Sequence, residues 1–186
     1  MIIKSQANPK FKLIKKLRNK KYRDKEGLFV IESRKLIEEA IKSHADIDFL
    51  FLKEGISFDE SSPYLVFDDN CFNKLSELKS PDGYGAVIRK KEAYDLSSDR
   101  ILLLDHISDP GNMGTIIRSA EAFGFSDIIL TKGCVDIYNE KCLRASMGSV
   151  FRVNIVELSL EEISIDFFQV IWKESMLESM IVLTIR

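Results

Sequence analysis

Apolar and polar residues alternate along the chain in two different periods, and the switches between them mark the elements. Asn8-Pro9 is a helix start, with Asn as cap and Pro in the first turn. Phe11, Leu13, Ile14 and Leu17 then form a narrow apolar stripe, and the lysines fall on the other face. Phe29-Val30-Ile31 reads as a short strand, and Ser33 to Ser43 as a helix with Leu36, Ile37, Ala40 and Ile41 on one side. Strands are expected over Ile47 to Leu52 and Tyr64 to Phe67, a helix over Asn70 to Leu78, a turn at Ser80-Pro81-Asp82-Gly83 and a strand over Tyr84 to Ile88. This alternation predicts an α/β layer domain over residues 1–90.

The segment 91–99 is charged, contains Ser97-Ser98 and reads as a linker. A second α/β unit follows over residues 100–186. Ile101 to Leu104 is a continuous apolar run, as expected of a strand covered on both faces. The tight loop Asp109-Pro110-Gly111-Asn112 leads into a helix from about Met113 to Phe123, which Gly124 ends. Asp127 to Leu130 and Phe151 to Val156 read as strands, Tyr138 to Ala145 as a helix, and Ser159 to Glu162 as a capping box that opens another. From about residue 166 the text changes character. It holds the only Trp and two Glu-Ser-Met triplets, and it shows no strand–turn–helix grammar.

Composition narrows the class. Apolar residues at 45% and charged residues at 30% place the chain among ordinary globular proteins. No apolar run reaches eighteen residues and the N-terminus lacks an apolar signal core, so a cytoplasmic protein without a membrane span is expected. The three scattered cysteines argue for free thiols. Neither His44 nor His106 stands at metal-ligand spacing, so no metal site is expected.

Charge changes the picture more. Residues 1–25 hold ten Lys/Arg against the single acid Asp24, a local charge of +9, so the net −2 of the whole leaves −11 on the remainder. A basic block on an otherwise acidic chain is a footprint for a polyanion, with Lys15, Lys16, Lys20, Lys21 and Arg23 as the candidate nucleic-acid contacts. A merely solvated helix face is the plain alternative.

The candidate chemistry lies between Leu104 and Phe125. Gly111 and Gly114 permit close approach of a ligand or of another backbone. Asn112 can cap the helix and present an amide, and Arg118, one turn in, is by shape a bidentate phosphate donor. A dinucleotide loop would need G-x-G-x-x-G and an acid at the tip of the second strand. The spacing here is Gly111-x-x-Gly114, and that strand ends Leu130-Thr131-Lys132-Gly133. An ordinary corner with a surface arginine stays open on the residues alone.

The run Asp109-Pro110-Gly111-Asn112-x-Gly114-x-x-x-Arg118 resembles the first signature of the SpoU/TrmH-type RNA ribose 2′-O-methyltransferases. Lys141 to Arg152 is similar to the segment that follows it in that family. Lys20-Lys21-Tyr22-Arg23-x-x-x-Gly27-x-Phe29-Val30-Ile31-Glu32 and Pro81-x-Gly83-x-x-Ala86-Val87 resemble its N-terminal substrate-binding domain, with Ser33 standing where the family commonly has Gly. The resemblance implies a small ribosomal-protein-like α/β RNA-binding domain followed by a SPOUT, or α/β-knot, parallel-sheet domain. It also implies methyl transfer from S-adenosylmethionine to a ribose 2′-hydroxyl of structured RNA, with ribosomal RNA as the expected partner. Arg118 takes the catalytic position, working across a homodimer interface, and Asn112 holds the RNA or the loop. The family builds its cofactor site late in the chain from a Gly-Asn-Glu-Gly-like loop and a Ser-Leu-Asn-like turn, and neither occurs in this sequence. The expectation is therefore an incomplete knot domain, truncated near Asp166, with an apolar sheet edge left bare and methyl transfer impaired. The alternative is a non-catalytic RNA-binding remnant.

Overall fold

The computed structural model describes residues 1–58, 63–93, 95–159 and 162–163, together with the backbone of 168–171 and 180–185. The chain divides into two compact units, Met1–Lys91 and Glu92–Arg186.

The first unit is a five-stranded mixed sheet with four short helices. Its elements are β1 (Ile2–Ile3), α1 (Pro9–Lys16), α2 (Lys20–Glu26), β2 (Leu28–Glu32), α3 (Arg34–Lys42), β3 (Ile47–Lys53), β4 (Tyr64–Phe67), α4 (Asp69–Leu75) and β5 (Tyr84–Arg89). The strand order is β1-β4-β3-β5-β2, with β1 and β3 parallel to β4, and β5 antiparallel to both β3 and β2. The apolar stripe of α1 is buried as its spacing requires: Phe11, Ile14 and Leu17 join Phe51, Phe67, Phe72 and Leu75 in one core. Phe51 lies edge-on to Phe67 at 6.1 Å and 5.8 Å from Phe72. Its cross-strand neighbour Gly85 makes room for the ring, because a Cβ there would stand 2.1 Å from Phe51 Cζ.

Two features depart from the sequence reading. Ile2–Ile3 forms a parallel edge strand too short to show a period. The basic segment is two helices rather than one: α1 ends at Lys16, Asn19 caps α2 by accepting from Lys21 N, and Gly27, at φ 63°, ends α2 in the left-handed region.

The second unit contains β6 (Arg100–Leu104), α5 (Pro110–Ala122), β7 (Asp127–Thr131), α6 (Glu140–Ser146), a 3-10 turn (Ser149–Phe151), β8 (Asn154–Leu158), β9 (Phe168–Ile171) and β10 (Met180–Ile185). β6, β7 and β8 are parallel and almost wholly apolar at β6 and β7. Each buried Ile or Leu side chain there contributes about 1.5–3 kcal/mol. The strand expected from Phe151 begins only at Asn154, because Ser149–Phe151 closes as a 3-10 turn. The capping-box bond forms, with Ser159 N donating to Glu162 Oε2 at 2.7 Å; the helix expected after it falls largely outside the described residues.

The expected bare edge is not found. β10 pairs antiparallel with β6 from Met180↔Leu104 to Thr184↔Arg100, and β9 pairs with β10, so the order is β8-β7-β6-β10-β9. The sheet is mixed rather than purely parallel. The tail that shows no grammar in the sequence supplies backbone donors and acceptors to β6, and ladder pairing needs no side-chain signature.

Candidate functional site

The strand-to-helix corner of the second unit is held by side chains that bond its own backbone. Asp109, not Asn112, is the N-cap of α5: its Oδ1 accepts from Asn112 N at 2.8 Å, and Pro110 occupies the first helical position. The cap falls three residues earlier than the reading on Asn112 because Pro110, with no N–H to satisfy and its φ preset, takes the first helical position and leaves Asp109 at the cap. Lys141 Nζ donates to Asp109 Oδ2 at 2.8 Å, which ties the cap to α6. This bond, then the backbone amides of Asn112 and Gly111, hold the Asp109 carboxyl below its ordinary range.

Space requires glycine at 114 and is tight, against movable side chains, at 111. A Cβ on Gly114 would stand 2.4 Å from Cys142 O and 2.9 Å from Ser146 N, so α5 and α6 cross backbone to backbone there. A Cβ on Gly111 would meet Lys141 Cε and Asp109 Oδ1 at 3.0 Å.

The corner leaves Asn112 and Arg118 exposed on α5. Six residues along a helix separate them by roughly 9 Å of rise and about 120° of turn, with Thr115 between. They thus flank one helical surface without touching. Arg118 Nη1 lies 3.0 Å from the sulfur of Met147, a residue in the left-handed region (φ 49°) that is itself exposed. Arg144 and Lys141 are exposed on the neighbouring α6. The sequence reading did not single out Asp109, Lys141 or Met147 as contributors; all three lie inside the motifs quoted for other reasons.

In the first unit the basic candidates separate into two groups. Lys15, Lys16, Lys20 and Lys21 are exposed. Lys15 Nζ donates to Lys74 O at 2.7 Å, Lys16 Nζ stands 5.8 Å from the Tyr22 ring, and Lys20 pairs with Asp24 at 2.7 Å. Lys20 and Lys21 occupy the first turn of α2, which carries no acid. Cations at a helix N-terminus oppose the helix dipole by a few tenths of a kcal/mol or more. Arg23 does not join them. It is only 6% exposed, and its guanidinium donates to Leu17 O at 2.9 Å and Arg18 O at 2.8 Å, stapling the turn between α1 and α2. Arg18 is likewise inward, bonded to buried Glu32 and to Leu75 O at 2.9 Å, and Glu32 also accepts from Glu77 N at 3.1 Å.

At the C-terminal ends of β6 and β7, Asp105 accepts from Thr131 Oγ1 and from His106 Nδ1, the latter at 2.6 Å. The Thr131 hydroxyl first, and then His106, hold the Asp105 carboxyl below its usual range. The carboxylates at these strand ends, Asp105 and Asp109, are therefore already engaged. Among the described residues no group of three His, Cys, Asp or Glu could hold a metal ion, and no helix is long and apolar enough to cross a membrane.

Comparison with known proteins places these corners in context. Residues 99–169 match the model of the SpoU rRNA Methylase family, and residues 8–86 match the MRM3-like substrate binding domain. The chain is 33% identical over 162 residues to the 23S rRNA (guanosine(2553)-2'-O)-methyltransferase RlmP of Bacillus subtilis, covering 85% of this chain and 65% of that protein. It is 32% identical over 157 residues to the mitochondrial rRNA methyltransferase 3 of Mus musculus, covering 75% of this chain and 37% of that one. Among solved structures it is similar to the AdoMet-bound rRNA methyltransferase from Sinorhizobium meliloti, with a TM-score of 0.74 at 27% identity over 87% of this chain and 66% of that one. The chain thus spans just under two thirds of the bacterial relatives and little more than a third of the mitochondrial one.

Proposed function

We propose a function from one premise, that this chain belongs to the SpoU/TrmH family of RNA methyltransferases. Residues 1–90 dock structured RNA, ribosomal RNA by class. Residues 100–186 bring Arg118 and Asn112 to the ribose–phosphate of the nucleotide that is 2′-O-methylated, and 91–99 link the two. The observation that carries the reading is the exposed Arg118 on a helix whose N-terminus is braced by Asp109 and Lys141. A guanidinium held at a surface, with a thioether as its neighbour, suits a phosphate, which it grips with two parallel hydrogen bonds. The exposed lysines at the turn between α1 and α2 supply sequence-independent attraction to the RNA backbone. The working form is a cytoplasmic homodimer, in which Arg118 of one copy serves the other.

S-adenosylmethionine is the family's methyl donor. Among the described residues the acids at the strand ends, Asp105 and Asp109, are bonded to Thr131, His106 and Lys141, so neither is placed to hold its ribose or amino group. The basic block of residues 1–25 supports a second reading, in which this chain binds RNA without itself transferring a methyl group. Two titrations decide. A ribosomal RNA hairpin should shift with the chain in a gel, and lose the shift as salt rises; no retardation at low salt removes both readings. Calorimetry with S-adenosylmethionine then separates them, since saturable micromolar binding selects methyl transfer and its absence selects RNA binding alone.

A further inference from the structure

The strand-end group around His106 is not used by the reading above. His106 has φ 52°, a left-handed conformation unusual for a residue with a side chain. Such a backbone is strained and persists only where the surroundings hold it. Here they do. His106 N donates to Thr131 Oγ1 at 3.4 Å, Thr131 Oγ1 donates to Asp105, and Asp105 Oδ1 accepts from His106 Nδ1 at 2.6 Å, closing a ring of three residues. Val135 N donates to Ile107 O at 2.8 Å and binds the loop after β7 to the loop after β6. Gly133, at φ 106°, leaves the space in which the imidazole stands: a Cβ there would lie 3.0 Å from the ring.

This bracing decides the tautomer. An ionised carboxylate can only accept, so the bond to Asp105 places the neutral imidazole's proton on Nδ1. The lone pair is then on Nε2, on a side chain 66% exposed, at the strand ends where open α/β sheets bind their ligands, three residues before Asp109. A lone pair on an exposed imidazole, beside Gly133, repels a phosphate and calls for a hydrogen-bond donor. On an RNA backbone the ribose 2′-hydroxyl is that donor, and it is the group that distinguishes RNA from DNA.

We infer that His106 is a specificity-determining residue that recognises a ribose 2′-hydroxyl of the docked RNA through Nε2, with Asp105 and Thr131 as the positioning residues behind it. The inference rests on the RNA-docking reading and is tested apart from it. The probes are a ribosomal RNA hairpin and the same hairpin carrying 2′-O-methyl groups throughout, which keeps the RNA-type helix and phosphates but removes every 2′-hydroxyl hydrogen. At pH 8 the full chain should bind the unmodified hairpin about fivefold more tightly, the loss expected of one neutral hydrogen bond. H106A should abolish that preference. H106G should do the same and keep the fold, because glycine takes φ 52° without strain. The chain has two histidines, so imidazole proton spectra carry two Cε1–H signals, with His44 as reference. The His106 signal should move with the unmodified hairpin and stay with the methylated one. Equal affinity for the two hairpins, or a preference retained in both variants, overturns the assignment and leaves RNA docking standing. Failure to bind either hairpin removes both.

Discussion

Arginine plays opposite parts in the two units. In the first, Arg18 and Arg23 sit inside the most basic stretch of the chain and yet point inward, one to Glu32 and Leu75 O, the other to two backbone carbonyls. In the second, Arg118 sits in a stretch with no excess positive charge and points outward, with a thioether as its neighbour. The lysines around Arg18 and Arg23 remain at the surface. A charge count therefore locates a polyanion-binding region but does not say which cations meet the polyanion. A guanidinium has five donors in a rigid fork and can satisfy several buried acceptors at once, whereas a lysine ammonium is more strongly hydrated and stays out.

Glu32 offers the strongest test of this contrast. Its carboxylate is buried with Arg18, and removing it leaves that guanidinium only the more exposed Glu77, at 3.8 Å, as an acid partner. Glu32→Ala should cost about 3–5 kcal/mol, read as a fall in the chemical denaturation midpoint. A change below about 1 kcal/mol would mean the pair is solvated and the inward assignment of Arg18 is wrong. Arg23→Ala against Arg118→Ala comes next. The first should lose about 1–3 kcal/mol of stability, since two carbonyls lose charged donors. The second should leave stability within about 0.5 kcal/mol and weaken RNA binding about tenfold, as expected when a charge-assisted hydrogen bond to phosphate is removed. If the two variants exchange phenotypes, the roles of the two arginines are reversed.

Neutralising Lys15, Lys16, Lys20 and Lys21 together to Gln should lower the salt slope of RNA binding by about 0.7–0.9 for each phosphate no longer neutralised, up to about 3.6 units, with the fold intact. An unchanged slope moves the docking face elsewhere. Ser33→Gly should raise stability by roughly 1 kcal/mol. Ser33 has φ 97°, and its cap bond to Leu36 N is long at 3.4 Å, so glycine gains more from relaxed backbone than it loses at the cap. The smallest effect concerns Asp109. Its carboxyl is depressed in the folded chain, so its contribution is present above the unfolded value near 4 and is lost as pH falls through the folded value. Asp109→Asn should flatten the stability profile between the folded value and about 4 and leave its slope elsewhere unchanged.

Much of this fold is legible in residue order. The stripe of Phe11, Ile14 and Leu17 and the apolar run Ile101 to Leu104 lie where the structure puts a buried helix face and a covered strand, whereas the corner read as a loop over 109–112 is already the first turn of α5. What was not legible depends on partners distant in sequence. Asp109 outcompetes Asn112 as cap with Lys141 bonded behind it, thirty-two residues on. The pairing of β10 with β6 is backbone chemistry between segments about eighty residues apart, and it leaves no mark in either segment's side-chain pattern.

The alternation of elements, the two-unit division, the basic terminus and the elbow that carries Arg118 are all written in residue order, because period, turn chemistry and local charge are properties of neighbouring residues. Folding in three dimensions selects which cations face out and which acid caps the elbow, and it stands His106 on a carboxylate and a hydroxyl. Those outcomes turn on which acceptors lie within hydrogen-bond reach, and reach across the fold is set by packing rather than by order along the chain.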